Sequence, residues 1–306
     1  MSFDISQIAN ARTSQIYQGL KDDGVLKTSM TDIVCQVVPT SGIAGHAGKI
    51  STLDFQAIAP TNALTGFKTM GTDATELTTP MSDRVYEIQE ISHFKEYPRA
   101  MDKDKLFQKV KNSFVPHLQA QIEFDKDDEL NSVLSGAGTS STNSQDVTVR
   151  ALSLAASEQW TDPASTPLSD LRDAAQDSLA DSLFLGLSKA NQLRDHDDFQ
   201  SQTGYKNATA SQLAEYLADY LGIQRVIIGN RIFQDGAQSA AADIQRVSSS
   251  AVCAFNSANI LYLDWTSAEF EHDETTKNNR SQLYGRANAS IVVVNPLYAI
   301  AFTDVA

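Results

Sequence analysis

The segment from Gly48 to Pro98 constrains this chain more than any other. Its outer pieces, KISTLDFQAI and RVYEIQEISHFKEYP, alternate in the manner of strands. They set Ile50, Leu53, Phe55 and Ile58 against Val85, Tyr86, Ile88, Ile91 and Phe94. The stretch between them, APTNALTGFKTMGTDATELTTPMS, is rich in turn formers and poor in large apolar residues. A two-stranded excursion of this kind cannot bury its own faces and is marginal in water by itself. Whatever fold the chain adopts must therefore supply this excursion with a partner surface.

The strongest helical periodicity follows directly. Leu106, Val110, Phe114, Leu118, Ile122, Leu130, Val133 and Leu134 recur mostly at spacings of three or four. Proline inside a helix removes a backbone bond and crowds the preceding turn, so Pro116 predicts a break. The expected result is a short helix over 103–110 and a second one opening near Ser113, which caps it, and ending at Gly136. That second helix covers about 21 residues, or ~31 Å. Its acidic run DKDDE, Asp125 to Glu129, reads as a solvated face.

Beyond the loop SGAGTSSTNSQD the chain alternates helices and strands. A helix is expected after Ser165 or Thr166 with Pro167 in its first turn and Leu168, Leu171, Ala175 and Leu179 on one face. A short helix follows Ser188, and TASQLAEYLADYLG forms an amphipathic helix with Leu213, Tyr216, Leu217 and Tyr220 inward. Strands are expected at 224–228, 251–255, 259–265 and in the apolar close ASIVVVNPLYAIAFTDVA. Residues 1–40 read as an arm with one strand-like piece around Val37 and Val38 and no core of its own. The fold class is α+β.

Composition narrows the chemistry. With 24 basic against 38 acidic side chains the formal charge is -14, and both halves are acidic, which disfavours a surface that grips phosphates by releasing counterions. The longest apolar stretches, such as Ile291–Val294, are far too short to span a bilayer, and residues 1–25 lack a basic-then-apolar signal segment. The expectation is a protein with no membrane association, made in the cytoplasm. Cys35 and Cys253 are the only cysteines and read as reduced, buried hydrophobes.

The Gly-rich run SGIAGHAGKIS lacks the spacing of a phosphate loop, since Ile43 stands where a glycine is needed and Ile50 where Ser or Thr would hold magnesium. It reads as a turn entering the excursion. His46, His93, His117, His196 and His272 lie in separate segments without metal-ligand spacing. RDHDDF (194–199) and EFEHDE (269–274) gather carboxylates around a histidine, yet neither has the glycine and ligand spacing of a calcium loop. Trp160 and Trp265 read as packing anchors. No catalytic, cofactor or metal site is expected.

The order of these elements resembles the major capsid proteins of tailed bacteriophages, which share the Hong Kong 97 capsid fold. The similar features are the Gly-led extended loop, the strand ending in EYPRAMDKDKL before a long helix, and Trp160 followed by a Pro-started helix. The helix LAEYLADYLGI leading into QRVIIGN, and the closing LYGRANASIVVVNPLYAIAF, complete the likeness over residues 30–306. The resemblance implies an N-terminal arm (1–47), an extended loop (48–98), a peripheral domain with a spine helix (99–155), an axial domain (156–285) and C-terminal strands returning to the core (286–306).

It also implies a function by assembly. Hexamers and pentamers of this chain would build an icosahedral shell in the virion around packaged double-stranded DNA, held without sequence-specific binding. Expected partners are a portal protein, a separate scaffolding protein, since the short arm leaves no room for a fused one, and possible decoration or cement proteins. Some relatives crosslink a loop lysine to an asparagine; Lys49 and Lys68 lie in that region, but no partner motif matches, so that chemistry is not carried over. Arg84, Lys95 and Arg99 flank the base of the loop and join those lysines as candidate inter-subunit contacts. The rival readings are an encapsulin-type compartment around a cargo enzyme, and a soluble acidic α+β enzyme using 194–199 or 269–274.

Overall fold

The computed structural model describes residues 30–39, 45–53, 81–98, 105–136, 147–155, 158–203, 208–229, 231–234, 243–245, 251–273 and 280–303. The first described element is a five-residue helix, α1 (Met30–Val34). The helical periodicity after residue 104 becomes a single helix, α2 (Lys105–Leu134), which runs unbroken through Pro116. The expected break and the Ser113 cap are therefore wrong. An interior proline costs about 3 kcal/mol. Against that, Val115, Leu118, Ile122, Leu130, Val133 and Leu134 all lie on buried positions of the same helix, at roughly 1.5–3 kcal/mol each. Packing outweighs the local penalty, and 30 residues make a rod about 45 Å long.

Two sheets meet along this rod. The four-stranded sheet has the order β1 (Gln36–Pro39), β11 (Ile260–Asp273), β12 (Arg280–Val293), β4 (Gln89–Pro98), with β1 parallel to β11 and the other pairs antiparallel. The five-stranded sheet runs β5 (Arg150–Ser153), β13 (Ala299–Thr303), β10 (Val252–Phe255), β6 (Ser182–Leu185), β7 (Arg225–Ile228). A separate ladder pairs β2 (Ala47–Leu53) with β3 (Met81–Glu87), and a small ribbon pairs β8 (Arg231–Gln234) with β9 (Asp243–Gln245).

Strand alternation shows where the core sits. Ile260, Tyr262, Ala289, Ile291 and Val293 from the first sheet, and Phe184, Cys253, Phe255, Ala299 and Ala301 from the second, pack into one cluster with Leu130, Val133 and Leu134 of α2. Met30, Val34 and Cys35 belong to the same cluster. Residues 30–35 are thus part of this chain's own core, contrary to the reading of an arm without one. The other face of the five-stranded sheet, with Leu183, Leu185, Val252, Ala254, Ile300 and Phe302, packs on Trp160 and on α3 (Pro167–Asp177), α4 (Leu187–Asp195), α5 (Asp197–Thr203) and α6 (Ala210–Leu221). Burial on both faces explains why these strands read as continuous apolar runs.

Local signals fare unevenly in this layer. Thr209 and Gln212 form a reciprocal capping box at the start of α6, and Leu213 and Leu217 are buried on it. Thr166 occupies the cap position of α3 but makes no side-chain bond there. Asp198 of α5 takes its place, accepting the Leu168 N–H at 3.1 Å. Leu179 falls outside α3, exposed and at φ 49°, so it is not on the inward face. The single helix expected after Ser188 is two, α4 and α5, parted at His196.

Candidate assembly surfaces

The excursion is anchored at its base. In the β2–β3 ladder Gly48 faces Tyr86, and a Cβ on Gly48 would lie only 2.7 Å from the phenol oxygen. Tyr86 therefore lies over the one residue that leaves it room. Ile50, Tyr86 and Ile88 then pack on Val38, Leu261, Leu263 and Val292, the face of the four-stranded sheet that α2 does not cover. This is the partner surface that the sequence required, and for the base of the excursion it lies within the chain. Phe55, Ile58 and the turn-rich middle fall outside the described residues.

The return strand keeps the expected pairing only as far as Glu87. After Glu87 it leaves β2, and Gln89–Pro98 pairs with β12 in the register Ala289↔Gln89 to Arg280↔Pro98. Ile91 and Phe94 accordingly pair with Ala287 and Tyr284 of β12. The long-range β12 partner, nearly 200 positions away, offers ten paired residues, and alternation alone cannot reveal it.

The sheet beyond the ladder has two unlike faces. Toward α2 it presents Tyr97, Leu283 and Phe270, packed on Phe114, Val115 and Leu118. The opposite side carries Phe94, 58% exposed, with its ring 5.8 Å from that of Tyr284. Arg286 lies 5.3 Å from the Tyr284 ring and within 4.0 Å of Glu90. Glu96 accepts bonds from Arg280 at 2.7 Å and Gln282 at 2.6 Å, which hold its carboxyl below the usual range. These exposed pairs contribute little to stability, but they frame an aromatic patch that no described element covers.

The three described candidate contact residues, Lys49, Arg84 and Lys95, do not converge. Lys49 lies 3.5 Å from Asp83 on the exposed side of the ladder, and Asp83 also accepts from Ser51 at 2.6 Å. The Ser51 bond, with Lys49 second, keeps the Asp83 carboxyl low. Arg84 pairs with Ile50 in the ladder. Lys95 points toward α2, 6.0 Å from the Phe114 ring centre. Lys68 and Arg99 lie outside the described residues. Sequence reasoning missed Phe94 as a surface residue because an aromatic in an alternating strand ordinarily signals burial.

The two enzyme-like clusters have other employment. His196 is buried, and its Nδ1 accepts the Asp198 N–H at 3.1 Å, which places the proton on Nε2. That N–H faces the Asp162 carbonyl at 3.1 Å and Ser165 Oγ at 3.2 Å. The imidazole is thereby a junction between the start of α5 and the loop before α3. Glu269 and Glu271 lie on β11 opposite Arg286 and Tyr284, in an exposed strand face. Among the described residues no group of three or more His, Cys, Asp or Glu side chains is arranged to hold a metal ion.

Comparison with known proteins gives a uniform result at the level of structure. No protein-family model and no curated protein matches the sequence. Among solved structures, a phage-related protein from Bordetella bronchiseptica matches with a TM-score of 0.60 at 13% identity, covering 96% of both chains. The capsid of the cyanophage P-SCSP1u matches at 0.59 and 12%, over 91% of this chain and 88% of that one. The capsid of an empty GTA particle matches at 0.59 and 12%, over 90% and 89%. The long helix on a four-stranded sheet, the ladder packed on its far face, the layered five-stranded sheet and these likenesses over most of both chains together establish that the chain has the Hong Kong 97-type fold.

Proposed function

We propose that this chain is a major capsid protein that assembles as hexamers and pentamers into an icosahedral shell around packaged double-stranded DNA. The observation that carries the reading is the coincidence, along nearly the whole of both chains, with the capsid of a cyanophage. The anchored ladder with an aromatic patch beside it supports the same reading, because a ring of identical subunits closes through heterologous contacts between two different surfaces of one chain. On this reading residues 1–47 are the arm, 48–98 the extended loop, 99–155 the peripheral domain, 156–285 the axial domain and 286–306 the returning strands. Lys49, Lys68, Arg84, Lys95 and Arg99 remain candidate contacts between subunits, and portal, scaffolding and decoration proteins are the expected partners in the virion.

The net charge of -14 fits a container better than a DNA-binding protein. An acidic lining repels phosphates and lets packed DNA move in and out. Sedimentation of the chain, alone and with a scaffolding protein, tests the assembly: capsomers or shells of hundreds of kilodaltons support it, whereas a 33.3 kDa monomer in both contradicts it. Nuclease-protected DNA inside particles from infected cells supports the virion reading, and a protein cargo in its place supports a compartment of the encapsulin kind.

A further inference from the structure

Helix α1 is only five residues long, too short to persist without support, yet both of its ends are held by charged side chains from distant parts of the chain. At its start, Asp127 of α2 is fully buried, with Oδ2 accepting the Met30 N–H at 3.2 Å. Asp127 Oδ1 accepts the Thr31 N–H at 2.9 Å and the Thr31 hydroxyl at 3.0 Å. At the other end, Arg225 of β7 donates to the carbonyls of Ile33 at 2.9 Å and Val34 at 3.3 Å, while its Nε donates to Ser182 of β6 at 2.8 Å. Negative charge at the helix start and positive charge at its end both match the helix dipole.

We propose that α1 is a releasable clasp: Asp127 and Arg225 together dock α1 between the long helix and the five-stranded sheet, and loss of either end frees residues 30–39 from the core. Met30, Val34 and Cys35 add apolar contacts to the core cluster, so the two charged ends fix a segment whose remaining hold is packing. β1 adds four residues to the edge of the sheet, three of them exposed, with parallel pairing to β11 alone. Release strips β11 of that neighbour and uncovers Met30, Val34 and Cys35, so the clasp couples the position of the N-terminal segment to the junction of the two sheets. The inference is intramolecular and stands apart from the assembly reading.

The chain carries its own reporter. Cys35 follows α1 directly, is 7% exposed, and its thiol is pushed well above the ordinary range by burial and then by Asp127, so the docked thiol is protonated and unreactive. Cys253, fully buried in the sheet layer, reports opening of the core as a whole. The experiment measures alkylation rates of both thiols, resolved by mass spectrometry, in the full-length chain and in Asp127→Asn, Arg225→Gln and Thr31→Val. The expected result is that either charge variant speeds labelling of Cys35 by about ten- to a hundredfold, the range set by losing a buried charge-assisted bond, with Cys253 unchanged. Thr31→Val, which removes the hydroxyl bond to Asp127 and keeps both charges, gives a smaller acceleration and keeps the test open if a charge variant fails to fold. The proposal is overturned if Cys35 stays at the wild-type rate in the variants, or if Cys253 accelerates in step with it, since the segment would then open only with the entire core.

Discussion

Gly285 of β12 lies opposite Phe270 of β11, and a Cβ on Gly285 would fall 2.9 Å from the Phe270 ring. The same Cβ would meet Ile122 and Leu118 of α2 at 3.3 Å. The long helix thus sits directly on backbone at this point, as close as the sheet allows. Gly285→Ala should lower stability by about 1–3 kcal/mol through overpacking, and Gly285→Val by more. Urea denaturation of the two variants checks this; a wild-type midpoint for Gly285→Val would show that the helix has room to move away.

Asp170 gives a pH-dependent expectation. Burial, with Glu158 second, raises its carboxyl to about 6, while the nearby Trp160 N–H pulls the other way. A carboxyl raised in the folded state is protonated in both states at low pH; above the unfolded pKa of about 3.9 the unfolded chain ionises more readily, so stability falls between pH 4 and 6. Asp170→Asn should therefore stabilise the protein at pH 7 by about 1–2 kcal/mol, allowing for partial solvent exposure, and the gain should vanish near pH 4. Thermal melts across that range test the sign.

The base of the excursion packs on the four-stranded sheet, which refines where it can be cut. Replacing residues 54–80 with a short Gly-Ser turn should leave a folded chain, because Ile50, Tyr86 and Ile88 keep their contacts with Leu263 and Val292. On the proposed function the same chain should fail to make shells. Loss of cooperative unfolding in this variant would show that residues 54–80 contribute to the core instead.

Phe94 separates assembly from stability. Because its ring is 58% exposed, Phe94→Ser should change the melting temperature of the isolated chain little, within about 0.5 kcal/mol. It should reduce the yield of assembled particles, which light scattering reads directly. Unimpaired assembly would remove the patch from the contacts between subunits.

What the sequence discloses about this fold follows the range of the interactions concerned. Periodicity within one segment locates the long helix, the capped helix Ala210–Leu221 and the strands of the closing region, because each depends on neighbours a few positions away. The continuity of α2 across Pro116 is hidden, since the residues that hold it there pack on strands up to 170 positions later. Asp127 looked like one of five solvated charges in DKDDE, but its partners, Met30 and Thr31, lie 97 and 96 positions earlier. Phe94 deceived in the other direction, as an apolar residue in a strand whose outward face stays open. Of the five candidate contact residues, the three described point in different directions, because charge near a loop base carries no information about which face of a strand it occupies.

The most direct test is electron microscopy of the full-length chain expressed by itself and together with a scaffolding protein. The account predicts closed icosahedral shells, or rings of five and six subunits, in at least one of these preparations. A uniform population of isolated monomers or small compact oligomers in both would contradict it.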